Sequence, residues 1–310
     1  MAEFSLNSND KAPLENVIFL TGPTASGKTA EGIALARRLN AEILSLDSMA
    51  VYRRMNIGTA KPTESEQRAV PHHLIDLVEP WEEFSLAAYL TAAHQAADAI
   101  RRRHKKILVV GGTPLYLKAL LRGIFDGPPA DEAFRAQWAI CEQEAPGALH
   151  RRLSAVDPIT AARLHPNDTK RLIRALEVFE KTGRPISELQ TQFNGTRPDS
   201  SPIFVLDWPR PALYERIDRR VDQMMADGLL DEVRSLRDMD RPLSKTAASA
   251  VGYRELLAFL DGAGTLQEAV EQIKRATRHF AKRQMTWFRS FKEAQFVPMP
   301  GGECGELRVE

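Results

Sequence analysis

Cysteine is nearly absent: the 310 residues contain two, Cys141 and Cys304, with no C-x-x-C pair. That scarcity excludes a disulfide framework and a thiolate zinc site. No apolar run approaches the ~18 residues of a membrane span, so a membrane-embedded chain is excluded. Met1 to Asp10 is polar and lacks the apolar stretch of a secretory signal, so a cytoplasmic protein is expected. Charge of one sign is missing as well. The 42 basic and 41 acidic side chains leave a net charge of +1, which gives no overall preference for an acidic partner. Internal repeats and low-complexity blocks are also lacking. What is present, 43% hydrophobic and 27% charged residues, is the composition of a globular chain able to bury a sizeable core. The length suits one large α/β domain with an insertion, or two domains.

The first third alternates short apolar runs with helical periodicity, the signature of βαβ units around a parallel sheet. Strands are expected at Val17 to Leu20, Ala41 to Leu46 and Ile107 to Val110, and helices at Lys28 to Leu39 and Ser85 to Arg103. Near Ile124 the pattern changes to charged helical sequence without strands, and it returns to a strand at Ile203 to Leu206. Asn194 to Pro202 reads as a loop, Tyr214 to Asp238 and Leu266 to Phe291 as long helices, and the chain from Pro298 as a poorly ordered tail. The expected layout is a core over 1–122 and 203–298, a helical insertion over 123–202, and a tail over 299–310.

One motif carries chemistry on its own. Gly22-Pro23-Thr24-Ala25-Ser26-Gly27-Lys28-Thr29 matches the phosphate loop G-x-x-x-x-G-K-[ST] between a strand and a helix. Glycines let successive amides face one anion beside a helix N-terminus. Lys28 adds a point charge, and Thr29 offers a hydroxyl to Mg²⁺. The motif names a phosphate, not a reaction. A kinase or ATPase also wants an acid closing an apolar strand. The clearest strand ends in Gly111-Gly112-Thr113 instead, and the acid stands at Asp47 after Ile43 to Leu46. Spacing leaves Asp47 open as Mg²⁺ organiser, general base or helix cap. Thr113 after two glycines reads equally well as an N-cap.

Several further segments go beyond generic motifs: Asp47-Ser48 with Val51-Tyr52, Asn56 to Pro62 (NIGTAKP), Pro71 to Asp76 (PHHLID) and Gly111 to Tyr116 (GGTPLY). His165 to Asp168 with Arg171, Arg174 and Glu177, then Gly252 to Glu255 (GYRE) and Ala281 to Arg289 (AKRQMTWFR), continue the series. Together with GPTASGKT, these stretches resemble the tRNA dimethylallyltransferase family, in order along nearly the whole chain. The resemblance implies a phosphate-loop α/β fold with an inserted helical domain. It also implies transfer of a dimethylallyl group from its diphosphate to the exocyclic amine of the adenosine 3′ to the anticodon in tRNA. Under it the phosphate loop holds the diphosphate of the prenyl donor, with Mg²⁺ as cofactor. Arg220 would join Lys28 and Thr29 in stabilising the departing pyrophosphate, the kind of charge stabilisation that usually dominates. Asp47 would take the amine proton as general base, and Thr113 would contact the reacting centre and the tRNA. The same alignment implies RNA contacts at Ser48, Met49, Ala50, Arg135, Lys170, Arg171, Leu172, Ile173, Arg174, Lys282 and Arg283.

The residues themselves support an RNA partner. Glu271 to Lys292 holds seven basic residues against one acid, a local charge of +6. The interleaved Phe280, Trp287, Phe288 and Phe291 have the spacing of one buried helix face, so packing is preferred for them over base stacking. His72 and His73 lack a third ligand for a metal on their expected loop. Eukaryotic members of the family carry a C-terminal zinc finger, for which this chain has no Cys/His set. The expected working unit is a monomer without membrane contact. Competing readings are an adenine-nucleotide prenyltransferase, a small-molecule phosphate-loop kinase and a non-enzymatic RNA-binding module.

Overall fold

The apolar runs become the inner strands of a parallel sheet in the computed structural model, which describes residues 13–125, 127–190 and 201–299. In chain order the first elements are β1 (Ile18–Thr21), α1 (Lys28–Leu39), β2 (Ala41–Leu46), α2 (Glu64–Ala69), β3 (His72–His73), α3 (Leu86–Arg102), β4 (Lys106–Gly111) and α4 (Pro114–Arg122). Helices α5 (Glu132–Glu144), α6 (Ala148–Val156), α7 (Pro158–Arg163), α8 (Thr169–Thr182) and α9 (Ile186–Leu189) follow. The sheet then resumes with β5 (Ile203–Asp207), α10 (Arg210–Ala226), α11 (Leu229–Arg237), α12 (Lys245–Ala248), α13 (Tyr253–Leu260), α14 (Leu266–Phe288) and β6 (Ala294–Pro298). The chain divides into two compact units, one from residues 1–121 with 198–310 and one from 122–197.

In the larger unit six strands lie in the order β3-β2-β4-β1-β5-β6, all parallel. Phe19, Leu20, Leu44, Leu46, Val109 and Leu206 are wholly buried, because helices cover both faces of the inner strands. Each such side chain contributes roughly 1.5–3 kcal/mol on leaving water. This order places the carboxyl ends of β2, β4 and β1 side by side, so the turns after them share one edge. Ligands of open parallel sheets bind at that edge. Among the described residues no helix is long and apolar enough to cross a membrane.

Three local expectations change. The long helix over Tyr214 to Asp238 is broken, since Gly228 at φ 99° ends α10 and starts α11; only glycine takes that conformation without strain. Ala294–Pro298, between the last expected helix and the tail expected from Pro298, forms the edge strand β6 paired along β5, an element the sequence pattern did not signal. Its mostly exposed side chains hide the usual apolar signal. His72 and His73 lie on strand β3 rather than a loop, and His73 Nε2 meets Glu42 at 2.7 Å. Most of the loop expected over Asn194 to Pro202, and residues 300–310, lie outside the described residues.

The smaller unit has its own core of Leu149, Leu153, Leu172, Ile173, Leu176 and Val178. Asp168 caps α8, accepting from the Arg171 amide at 3.4 Å. Glu177, wholly buried, accepts from the Asp131 amide at 2.7 Å, from Arg135 Nε and Nη2 at 2.9 and 3.0 Å, and from Arg174 Nη1 at 2.5 Å.

Candidate active site

The turn after β1 is the phosphate loop. Trp208 Nε1 donates to the Ser26 carbonyl at 2.9 Å and Arg216 Nε to the Ala25 carbonyl at 2.8 Å. The Arg216 guanidinium lies 4.2 Å from the Trp208 ring centre, so one stacked pair holds two loop carbonyls. Gly27 at φ 91° then turns the chain into α1, whose first-turn amides, from Lys28 on, have no acceptor inside the helix. Such amides form an anion site.

Lys28 Nζ donates to the Pro23 carbonyl at 2.6 Å and lies 3.4 Å from Ser26 Oγ. Burial, and then the charge of Arg220, push its pKa down to about 7, against the opposing pull of Asp47. Arg220 is likewise held below the usual arginine range, first by burial, with Asp47 acting the other way. Lys28, Arg216 and Arg220 form no ion pair among the described residues. Partly desolvated cations without carboxylate partners are poised for an anionic ligand.

Asp47 follows β2. Its Oδ1 accepts from the amides of Met49 and Ala50 at 2.7 and 3.2 Å, so it does cap the turn. That leaves Oδ2 with no donor among the described residues, so capping does not use up the carboxylate. Thr113, after β4, does not cap its own helix with its hydroxyl. Its Oγ1 accepts from the Ser48 amide at 3.1 Å, and its N–H donates to the Leu46 carbonyl at 3.1 Å. Tyr89 and Tyr116 stack with ring centres 4.0 Å apart, and Tyr89 donates to the Ser45 carbonyl at 2.9 Å. Burial raises the pKa of both phenols, and Asp47 adds to the shift.

Lys28, Asp47, Thr113, Arg216 and Arg220 line one cleft of about 980 Å³. Its lining also includes the apolar side chains of Ile217, Val221, Met224, Leu229 and Ile273. Gln284, Arg216, Trp208 and the two tyrosines were missed by sequence reasoning. One signal was available for Gln284. It shares the buried stripe of α14 with Ala281 and Phe288, where an amide must find partners.

The expected RNA residues separate into groups. Lys282 and Arg283 are exposed on α14, and Arg283 lies 5.9 Å from the Phe280 ring centre. Phe280 is itself exposed, which corrects the packing expected for it; Phe288 and Phe291 are buried as expected. Two of the seven basic residues are engaged on α10: Lys274 with Asp222 at 2.7 Å, and Arg278 with Asp218 at 2.6 Å. In the smaller unit Lys170 and Arg171 are exposed. Leu172 and Ile173 do not fit an RNA contact, because their side chains belong to the core of that unit. Ala50 is buried too, with its amide committed to Asp47, whereas Ser48 and Met49 are partly exposed.

Residues 50–291 match the family model described as IPP transferase, and residues 15–77 match that of isopentenyl transferase. The chain belongs to this family. It is 50% identical to the tRNA dimethylallyltransferase of Rhodopirellula baltica over 91% of this chain and 88% of that one. Against that of Thermotoga petrophila it is 45% identical, over 94% and 95%. The solved tRNA isopentenylpyrophosphate transferase of Bacillus halodurans superposes with a TM-score of 0.68 at 41% identity, covering 92% of this chain and 90% of that one. A eukaryotic dimethylallyltransferase captured acting on tRNA gives 0.77 at 30% identity, over 92% and 74%.

Among the described residues of this family member, no three His, Cys, Asp or Glu side chains cluster to hold a metal ion. The hard oxygen donor on offer, the Thr29 hydroxyl, suits Mg²⁺ carried largely by phosphate oxygens and water.

Proposed function

We propose that this cleft moves a dimethylallyl group from dimethylallyl diphosphate to the exocyclic amine of the adenosine 3′-adjacent to the anticodon of a tRNA. The single observation that carries this reading is that cations without carboxylate partners and a half-capped carboxylate face one cleft from the carboxyl ends of β1 and β2, on either side of β4. The diphosphate sits on the amides from Gly27 to Thr29, with Lys28 and Arg220 on its oxygens. The Thr29 hydroxyl would hold Mg²⁺, which would supply further positive charge to the diphosphate. The tail lies against Ile217, Val221 and Met224.

An aromatic amine is a weak nucleophile because its lone pair is delocalised into the ring. Asp47 accepts its proton as the new C–N bond forms and the C–O bond to pyrophosphate breaks. Lys28 and Arg220 take up the growing charge on the leaving oxygens, where fixed donors act most strongly. A flipped-out adenosine is required, since a stacked base cannot enter such a cleft. Lys282 and Arg283, and Lys170 of the smaller unit, are among the exposed cations offered to RNA phosphates, as is Arg171, which is also paired with Asp168. The working unit in this reading is a monomer, in the cytoplasm where tRNA is met. The test is incubation with unmodified tRNA and dimethylallyl diphosphate, then nucleoside mass analysis. One added five-carbon group on a tRNA adenosine is expected. Prenylation of free adenine nucleotides alone, or phosphoryl transfer from ATP, would replace this reading.

A further inference from the structure

Gln284 is 4% exposed, and both ends of its amide are engaged. Oε1 accepts from the Thr24 amide at 2.9 Å, and Nε2 donates to the Gly112 carbonyl at 2.6 Å. An amide N–H can only donate and a carbonyl only accept, so this orientation is forced. Thr24 lies in the phosphate loop after β1, and Gly112 in the turn after β4. The two strands pair in register only as far as Thr21 opposite Gly111. Gln284 adds a rung beyond the end of the ladder, supplied from α14. A side chain on Gly112 would bring its Cβ within 2.7 Å of Nε2, so the rung requires glycine there. The next residue, Thr113, holds the Ser48 amide at 3.1 Å, and Ser48 is bonded in sequence to Asp47. A continuous path thus runs from the phosphate loop through Gln284, Gly112, Thr113 and Ser48 to the carboxylate.

We propose that Gln284 is a positioning residue for prenyl transfer, setting the separation between the loop that holds the diphosphate and the carboxylate that receives the amine proton. Both ends of its amide are committed to the two turns, so it acts through them. The inference rests on the function proposed above and deepens it. Its chemical consequence is alignment: the donor carbon is delivered by one turn and the amine is oriented by the other. A misplacement of about 1 Å between reacting groups can cost on the order of a hundredfold in rate.

Gln284→Met keeps the length and removes both bonds. Gln284→Glu keeps an acceptor for Thr24 and sets a carboxylate against the Gly112 carbonyl. Gly112→Ala attacks the same rung from the other side, and serves if the α14 variants fail to fold. The measurements are single-turnover transfer at saturating tRNA and dimethylallyl diphosphate, dissociation constants for tRNA and inorganic pyrophosphate, and thermal midpoints. The expected result is a transfer rate lowered about a hundredfold, with both dissociation constants within about threefold of wild type and unfolding little changed. An unaltered rate in folded variants would overturn the proposal. So would a loss that merely follows weakened pyrophosphate binding or lost folded protein, since either makes Gln284 a support of one loop only. A wild-type protein that transfers nothing would instead remove the function on which the inference stands.

Discussion

Arg135 and Arg174 in the smaller unit are held in the opposite way from Arg216 and Arg220 in the larger one. The first pair clasps Glu177, a wholly buried carboxylate whose pKa is held below the usual range by Arg135, the Asp131 amide and Arg174, against the cost of its burial. Their charge is spent inside the protein, as part of what fastens α8 to α5. The second pair meets no carboxylate within ion-pair distance among the described residues, and both its members are held below the usual arginine range, chiefly by burial. A chain that leaves such cations unneutralised loses stability there and gains a site for an anion. The family pattern marks Arg135, Arg174 and Arg220 as functional alike. In the structure the first two are tied to a buried carboxylate, and Arg220 is not.

The largest effect expected from this contrast is kinetic. Lys28→Ala or Arg220→Ala should lower turnover about a hundred- to a thousandfold while tRNA binding survives, measured at saturating donor. Normal turnover in either variant would erase the distinction. Next comes stability in the smaller unit. Glu177→Ala strands two arginines and an amide, at a cost of about 2–3 kcal/mol after discounting for the part-exposed arginines. Faster amide exchange confined to α5 and α8 is the expected observation, with donor binding unaffected.

A smaller effect follows pH. The protonated form of Lys28 binds the anion, and its pKa in the free protein is about 7. A bound diphosphate raises that value, so the complex holds more protons than the separate partners. Pyrophosphate affinity should therefore fall as pH rises above about 7.5, by up to tenfold per unit. Calorimetry in two buffers of different ionisation enthalpy should record proton uptake at pH 8. Binding without uptake would show that Lys28 is already charged. The smallest effect is on salt dependence. Neutralising Lys282 and Arg283 should reduce the slope of log affinity for tRNA against log salt by about one unit per lost contact. Neutralising Lys274 and Arg278, already paired on α10, should leave that slope unchanged.

Local patterns were legible and long-range ties were not. The bounds of α1 and β2, and the site of the phosphate loop, follow from runs of a dozen residues or fewer that report their own burial. β6 was hidden because an edge strand with exposed side chains carries no apolar run. The break at Gly228 was overlooked because helical periodicity resumes at once on either side. Asp47 and Lys28 could be named from motifs. The residues that hold them could not, because Gln284 reaches across 260 positions to Thr24, and Arg216 across 191 to Ala25. The resemblance carried Leu172 and Ile173 along with their basic neighbours, since a matched stretch does not say which side of a helix is buried.

The central claim is that Asp47 is the base. Its Oδ1 is tied to two backbone amides while Oδ2 receives no hydrogen bond among the described residues. The decisive measurement is the single-turnover rate of Asp47→Asn against pH and Mg²⁺ concentration. Asparagine keeps the size and the cap but takes up no proton at neutral pH. A rate lower by about two to four orders of magnitude is predicted, with binding of either substrate little changed and no recovery as Mg²⁺ is raised. Restoration of most of the activity at high Mg²⁺, together with weakened donor binding, would make Asp47 a metal organiser and contradict the account.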